Sequence, residues 1–154
     1  MSQSLRNVRK EIRILGVDAC NPKFTTGAIV RGGLYLDGVI VLPPKVNAVE
    51  LAKEITETKY FPELKVIMIH DPRSRLNSRI IGRITALPII QVPPDINMMT
   101  RNREYAESNQ DWKGTTLHSP TLSKILKLTQ TSGDMPEPVR IAHLLAKLHI
   151  VGRL

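Results

Sequence analysis

Apolar residues crowd positions 12 to 17, IRILGV, with only weak alternation, which predicts a central strand covered on both faces. A polar turn, CNPK, follows. TTGAIVR and LYLDGVIVL are two further β-patterned runs, and the Gly32–Gly33 pair between them predicts a reversal, so the first three strands form an antiparallel meander. Pro43 and Pro44 end the third strand. Beyond them the period changes: VNAVELAKEITETKY places Val49, Ala52, Ile55 and Thr56 at helical spacing, with Asn47 as the capping residue. LKVIMIH, residues 64–70, is a buried strand closed by the Asp71–Pro72 turn.

SRLNSRIIGRITA predicts a helix over 74–86 despite Gly82, and LPIIQV a short strand halted by Pro93 and Pro94. From there to residue 118 the chain is polar and irregular, with NREYAESNQDW a helical candidate inside it. SPTLSKILKLTQ has a Ser119 cap, Pro120 at the first helical position and a Leu122, Ile125, Leu126 stripe. PEPVRIAHLLAKLHIVG closes the chain as a helix with Pro138 near its start and Gly152 near its stop. No internal repeat is present. A meander feeding into alternating helix and strand predicts an α/β fold, a mixed five-stranded sheet with helices on both faces.

Composition narrows the function classes. With 154 residues the expected organisation is one domain over 1–154, with a flexible start at 1–10 and an irregular segment at 93–118. The opening MSQSLRNVRKEIR lacks an apolar core after its charges, and no apolar run reaches the roughly 18 residues of a membrane span. A cytoplasmic protein without a membrane partner is expected. Cys20 is the only cysteine, so no internal disulfide forms, and its neighbours show no CxxC or zinc spacing; neither disulfide nor zinc is expected to hold the fold. The net charge of +8 favours a polyanionic partner, while an aromatic content of 4% argues against base stacking and for backbone contacts.

Ligands of such sheets gather beyond strand ends, and Asp18, His70 and Asp71 all fall there. Each has a plain alternative. Asp18 can cap the CNP turn. Glu50 stands in capping-box spacing from Asn47, where a carboxylate suits the helix dipole, and His70–Asp71 can be a mere strand end. His143 shares a helical face with Arg140 and Lys147, opposite Ile141, Leu144, Leu145 and Leu148, which suits a solvated basic edge. Arg75, Arg79 and Arg83 recur every four residues, preceded by Arg73; they are either a solvated face or a track for phosphates. Taken together, carboxylates from two strand ends and a helix start can converge on a divalent cation, with a histidine to orient or carry protons.

IRILGVDA, VRGGLYLDGV, LKVIMIHD, LPIIQV and MPEPVRIAHLLAK, in that order, resemble the archaeal endonuclease dU family, distant relatives of endonuclease V, over about residues 10 to 92 and 119 to 151. The resemblance implies a ribonuclease H-like fold and magnesium-dependent cleavage, with manganese as the substitute ion, of DNA near deoxyuridine or deoxyinosine. It further implies that Asp18 and Glu50 are metal ligands, that the third is Asp71, and that Asp18, Glu50 and His143 form the catalytic set. Arg73, Arg75, Arg79, Arg83, Arg140 and Lys147 are the residues expected to meet DNA, and a homodimer remains open.

Two departures stand out. The family has an aspartate followed by glycine at the end of the fourth strand, where this chain has His70, then Asp71 and a proline; a one-residue shift in a strand sends a side chain to the opposite face unless the turn redirects it. After LPIIQV the family tends to carry a basic segment with lysine, and this chain has PPDINMM. The alternative to a nuclease is therefore a catalytically weakened or inactive relative that binds nucleic acid or a protein partner.

Overall fold

A computed structural model describes residues 8–21, 23–33, 35–42, 46–93, 117, 119–130 and 135–151. The helical candidate at NREYAESNQDW, the Pro43–Pro44 stop and the Gly152 stop lie outside the described residues. Five strands, β1 (Arg13–Asp18), β2 (Thr25–Arg31), β3 (Tyr35–Leu42), β4 (Leu64–His70) and β5 (Ile89–Gln91), form one sheet in the order β3-β2-β1-β4-β5. The first three pair antiparallel; β4 runs parallel to β1, and β5 parallel to β4. Among the described residues four α-helices accompany them: α1 (Ala48–Glu57), α2 (Ser78–Thr85), α3 (Ser119–Thr129) and α4 (Glu137–Val151). The predicted mixed sheet is present, and its arrangement is compatible with a ribonuclease H-like fold. No helix among the described residues is long and apolar enough to cross a membrane.

The two-residue period of a strand divides the core. Leu15, Val17, Ile29, Ile67 and Ile69 point to one face, where Leu51 and Ile55 of α1 and Ile81 of α2 cover them. Ile14, Val66, Met68 and Ile90 point to the other, beneath Ile125 and Leu126 of α3 and Val139 of α4. Ala28 and Val30 of β2 continue that second face under Ala142. The expectation that β1 is covered on both sides holds, which is why its residues are apolar without strict alternation.

Local chemistry sets the ends. Gly32 adopts φ +61° as β2 turns toward β3, a conformation that suits glycine, and the Lys10 carbonyl fills the space a side chain would need. The β2–β3 register slips between Ile29 and Val30, leaving Asp37 as the extra residue of a bulge. Its carboxylate accepts from Arg13 Nε and Arg31 Nε, each at 2.9 Å, which ties the edge strand to β1 and β2. Asn47 caps α1 by accepting the Glu50 N–H at 2.8 Å, as the sequence predicts. The buried face of α1 is Ala48, Leu51, Ala52 and Ile55, whereas Val49, expected inside, is exposed.

The second helix is shorter than predicted. Asn77 accepts from the Arg79 and Ile80 N–H groups, so α2 starts at Ser78, and Ala86 ends it in the left-handed region. Arg75 therefore precedes the helix and does not share a helical face with Arg79 and Arg83. In α4 the expected apolar stripe is also displaced: Leu148 is 64% and Leu144 38% exposed, while Val139, Ala142 and Ala146 are buried.

Candidate metal centre

Asp18 ends β1 on the face of Ile14 and Gly16, the face that α4 covers, and it is fully buried. His70 ends β4 directly beside it, since the parallel register pairs these two residues and the Ala19 N–H donates to the His70 carbonyl at 2.9 Å. Helix α4 reaches this corner because Gly16 has no side chain. A Cβ there would sit 2.6 Å from the Val139 nitrogen and closer still to the Pro138 carbonyl. Thr26 then fixes the next turn, its hydroxyl donating to the Ala142 carbonyl at 2.7 Å. The outcome is that His143 turns inward, its Nδ1 hydrogen-bonded to Asp18 Oδ2, and does not lie on a solvated basic edge.

A fourth group joins from the turn after β1. The Cys20 N–H donates to Asp18 Oδ1 at 2.7 Å, curling the chain back, and Cys20 Sγ lies 3.0 Å from His70 Nδ1. One donor atom from each of Asp18, Cys20, His70 and His143 falls within 4.8 Å of the others. Sequence spacing offered no partner for Cys20; the fold supplies two imidazoles and a carboxylate from positions 2 to 123 residues away along the chain.

Glu50 and Asp71 stand outside this group. Glu50 is exposed in the first turn of α1, a helix that packs on the sheet face opposite Asp18, and its backbone takes part in the Asn47 cap. Asp71 follows His70 by one residue. Its Oδ2 accepts the Leu76 N–H at 2.7 Å, so the Asp71–Pro72 turn uses the carboxylate to shape the loop before α2. Among the described residues, the donors that gather here are one carboxylate, one thiol and two imidazoles, and neither Glu50 nor Asp71 is among them.

Burial works to raise the Asp18 carboxyl, but the His70 imidazole, the backbone and side chain of Cys20, and His143 outweigh it and hold the group below its usual value of 3.8. Asp18 is therefore an anion at neutral pH. Burial, followed by the neighbouring Asp18, pushes the Cys20 thiol up to about 12. A thiol so placed is not a nucleophile at neutral pH, because only the thiolate attacks. His70 Nε2 is buried with no hydrogen-bond partner, and such a group costs about 1–3 kcal/mol unless something satisfies it.

These donors do not fit the ion that the resemblance implies. Magnesium takes oxygen ligands in near-octahedral array, and manganese favours carboxylate, carbonyl and water in the same way. Sulfur and nitrogen make up three of the four donors here.

The basic residues separate into two groups. Arg75 donates from Nη2 to the carbonyls of Ala19 at 2.6 Å and Asn21 at 3.0 Å, and so braces the Cys20 turn. Arg140 is paired with Glu137 in the first turn of α4. Arg73, Arg79, Arg83 and Lys147 are exposed. Arg75→Ala is expected to lower stability by roughly 2 kcal/mol, since hydrogen bonds to a charged donor contribute about 1.5–3 kcal/mol. A thermal melt checks this; an unchanged midpoint would show that the guanidinium does not brace the turn.

The site and sheet define an α/β protein with a buried carboxylate, thiol and imidazole cluster at the carboxyl ends of β1 and β4. Comparison with known proteins places its likeness among archaeal UPF0215 proteins. UPF0215 protein Mbar_A0619 of Methanosarcina barkeri is 26% identical, the alignment covering 95% of this chain and 94% of the relative. UPF0215 protein MK0057 of Methanopyrus kandleri is also 26% identical, over 92% of this chain and 93% of the relative. Each alignment runs to 183 positions, more than the 154 residues here, so these relatives carry residues that this chain does not. The crystal structure of a protein of unknown function from Archaeoglobus fulgidus superposes with a TM-score of 0.67 at 19% identity, covering 89% of this chain and 97% of that one. That likeness establishes the shared fold. No protein-family model matches the chain.

Proposed function

We propose that this chain is a metal-dependent, endonuclease-like protein that acts on DNA strands holding a deaminated base, deoxyuridine or deoxyinosine, as its resemblance to the endonuclease dU family implies. The observation that supports this reading is the contact between the buried Asp18 carboxylate and His143, two residues that match the family's motifs and lie 125 positions apart. A carboxylate that accepts from Nδ1 fixes the orientation and tautomer of an imidazole. His143 is the partly open member of the pair, its side chain 19% exposed, so it faces an arriving phosphodiester or the water that attacks it. The exposed Arg73, Arg79, Arg83 and Lys147 would follow the DNA backbone, an arrangement that fits the charge of +8.

The test is cleavage of uracil- and inosine-containing duplexes by the wild-type protein, with a chelator and with added magnesium, manganese or zinc. Cutting at the lesion that the chelator stops supports the reading, and intact strands under every ion reject it. A second reading, a relative that binds nucleic acid without cutting, draws on the positions of Glu50 and Asp71 outside the cluster. It predicts salt-sensitive binding with no cleavage. On both readings the double substitution of Arg79 and Arg83 to Ala flattens the salt dependence, by about one unit of slope for each phosphate no longer neutralised. A slope equal to that of wild type would remove these two arginines from the interface.

A further inference from the structure

We infer that Asp18, Cys20, His70 and His143 bind a divalent cation of the zinc class. The inference shares its site with the nuclease reading but does not need that reading to hold.

The donor chemistry comes first. Thiolate and imidazole select borderline-soft ions, and a set of one sulfur, two ring nitrogens and one carboxylate oxygen is of the kind that zinc takes in four-coordinate sites. The four donor atoms lie within 4.8 Å of one another, a spread that a shared ion with bonds of about 2.0–2.3 Å can draw together. Charge is the second consideration. Asp18 is a fully buried carboxylate, and the described residues place no lysine or arginine in hydrogen-bond contact with it. A bound cation would supply the missing positive charge. The third observation is His70 itself. It is 6% exposed, and its Nδ1 lies 3.0 Å from Cys20 Sγ and 3.9 Å from Asp18 Oδ2, which sets a donor nitrogen between the sulfur and the carboxylate.

The surroundings hold these groups ready. Asp18 and His70 share a rung of the central strand pair, and Arg75 together with the Asp18 carboxylate fixes the Cys20 turn from both sides. A zinc-class ion here would reverse the expectation that zinc does not hold the fold, because Cys20 finds its partners across the sheet and not along the chain.

Cobalt(II) reports the site independently of catalysis. The full chain, freed of metal with a chelator and titrated with cobalt, is expected to bind one ion, with intense visible bands of a four-coordinate centre and a near-ultraviolet band from the thiolate. Zinc should displace the cobalt, and magnesium in large excess should not. Cys20→Ser, checked for an unchanged circular dichroism spectrum, should remove the near-ultraviolet band. It should also weaken binding by more than the roughly 10- to 100-fold that loss of a mere supporting partner costs. His70→Ala should weaken binding similarly. Absence of cobalt binding, a spectrum unchanged in Cys20→Ser, or displacement by magnesium would each overturn the inference. A thiolate–cobalt centre in a protein that cuts no DNA upholds this assignment and rejects the nuclease reading. Magnesium-dependent cutting without that band does the reverse.

Discussion

Gly16→Ala is expected to lower the melting temperature by roughly 10 °C and to weaken metal binding at a site its side chain does not touch. The added methyl group would meet the Pro138 carbonyl and the Val139 nitrogen, which are backbone atoms and have no rotamer to change. Relief requires α4 to lift from β1. Overpacking of this kind costs about 1–3 kcal/mol and more when only backbone can yield, and each kcal/mol lowers the midpoint of a domain this size by about 2–4 °C. Lifting α4 also draws His143 away from Asp18 and strains the Thr26 bond to the Ala142 carbonyl. A scanning melt paired with cobalt titration measures both effects. Wild-type values in both would mean that α4 does not approach β1 as closely as Gly16 allows.

Asp18→Asn is expected to abolish whatever chemistry the site performs, by at least about 100-fold, the lower bound for removing a group that supports proton transfer. The amide keeps the size and can still accept the Cys20 N–H, but it carries no charge to orient His143 or to face a cation. Stability should respond with a definite sign. The Asp18 carboxyl is held below 3.8 in the fold, so its contribution is fully present above about that pH and is lost as the pH falls through the lowered value. Wild type should therefore lose stability more steeply than Asp18→Asn on acidification below about pH 4, a comparison that chemical denaturation at pH 7 and pH 3 makes directly. Parallel acid limbs would show that the carboxylate gains nothing from its partners.

The large features of the fold were legible because they follow from burial. IRILGV and LKVIMIH had to be central strands, since no half-exposed element tolerates such runs. The Gly32–Gly33 reversal marked the meander, and the Asp18 and His70 strand ends marked the corner where the site lies. What was hidden depended on face and on distance. A strand sends His70 and Asp71 to opposite sides, and the sequence alone left it open whether the proline turn would bring the aspartate back; one Asp71 oxygen is engaged by the Leu76 N–H, while the other is buried without a partner. Cys20 had no legible role because its partners are 50 and 123 residues away, although an aspartate and a cysteine two apart at a strand end, with histidine ending another strand, are a usable signal. Helical periodicity alone could not orient α4, whose inward face is chosen by Gly16 and Thr26 on the strands beneath it. Arg75 looked like part of a repeat because three arginines at a spacing of four imitate a helical face, but the Asn77 cap ends the helix before it reaches that residue.

The rung that joins Asp18 to His70 has a consequence for how the molecule breathes. The backbones of Asp18 and His70 cannot part unless β1 and β4 unzip, and each of these strands has a neighbour on either side. Amide protons there exchange only through the rarest, most global openings. Exchange of anything seated between the two side chains need not wait for such openings, since His143 beside them is 19% exposed and gives the site a way to solvent that the strands do not control.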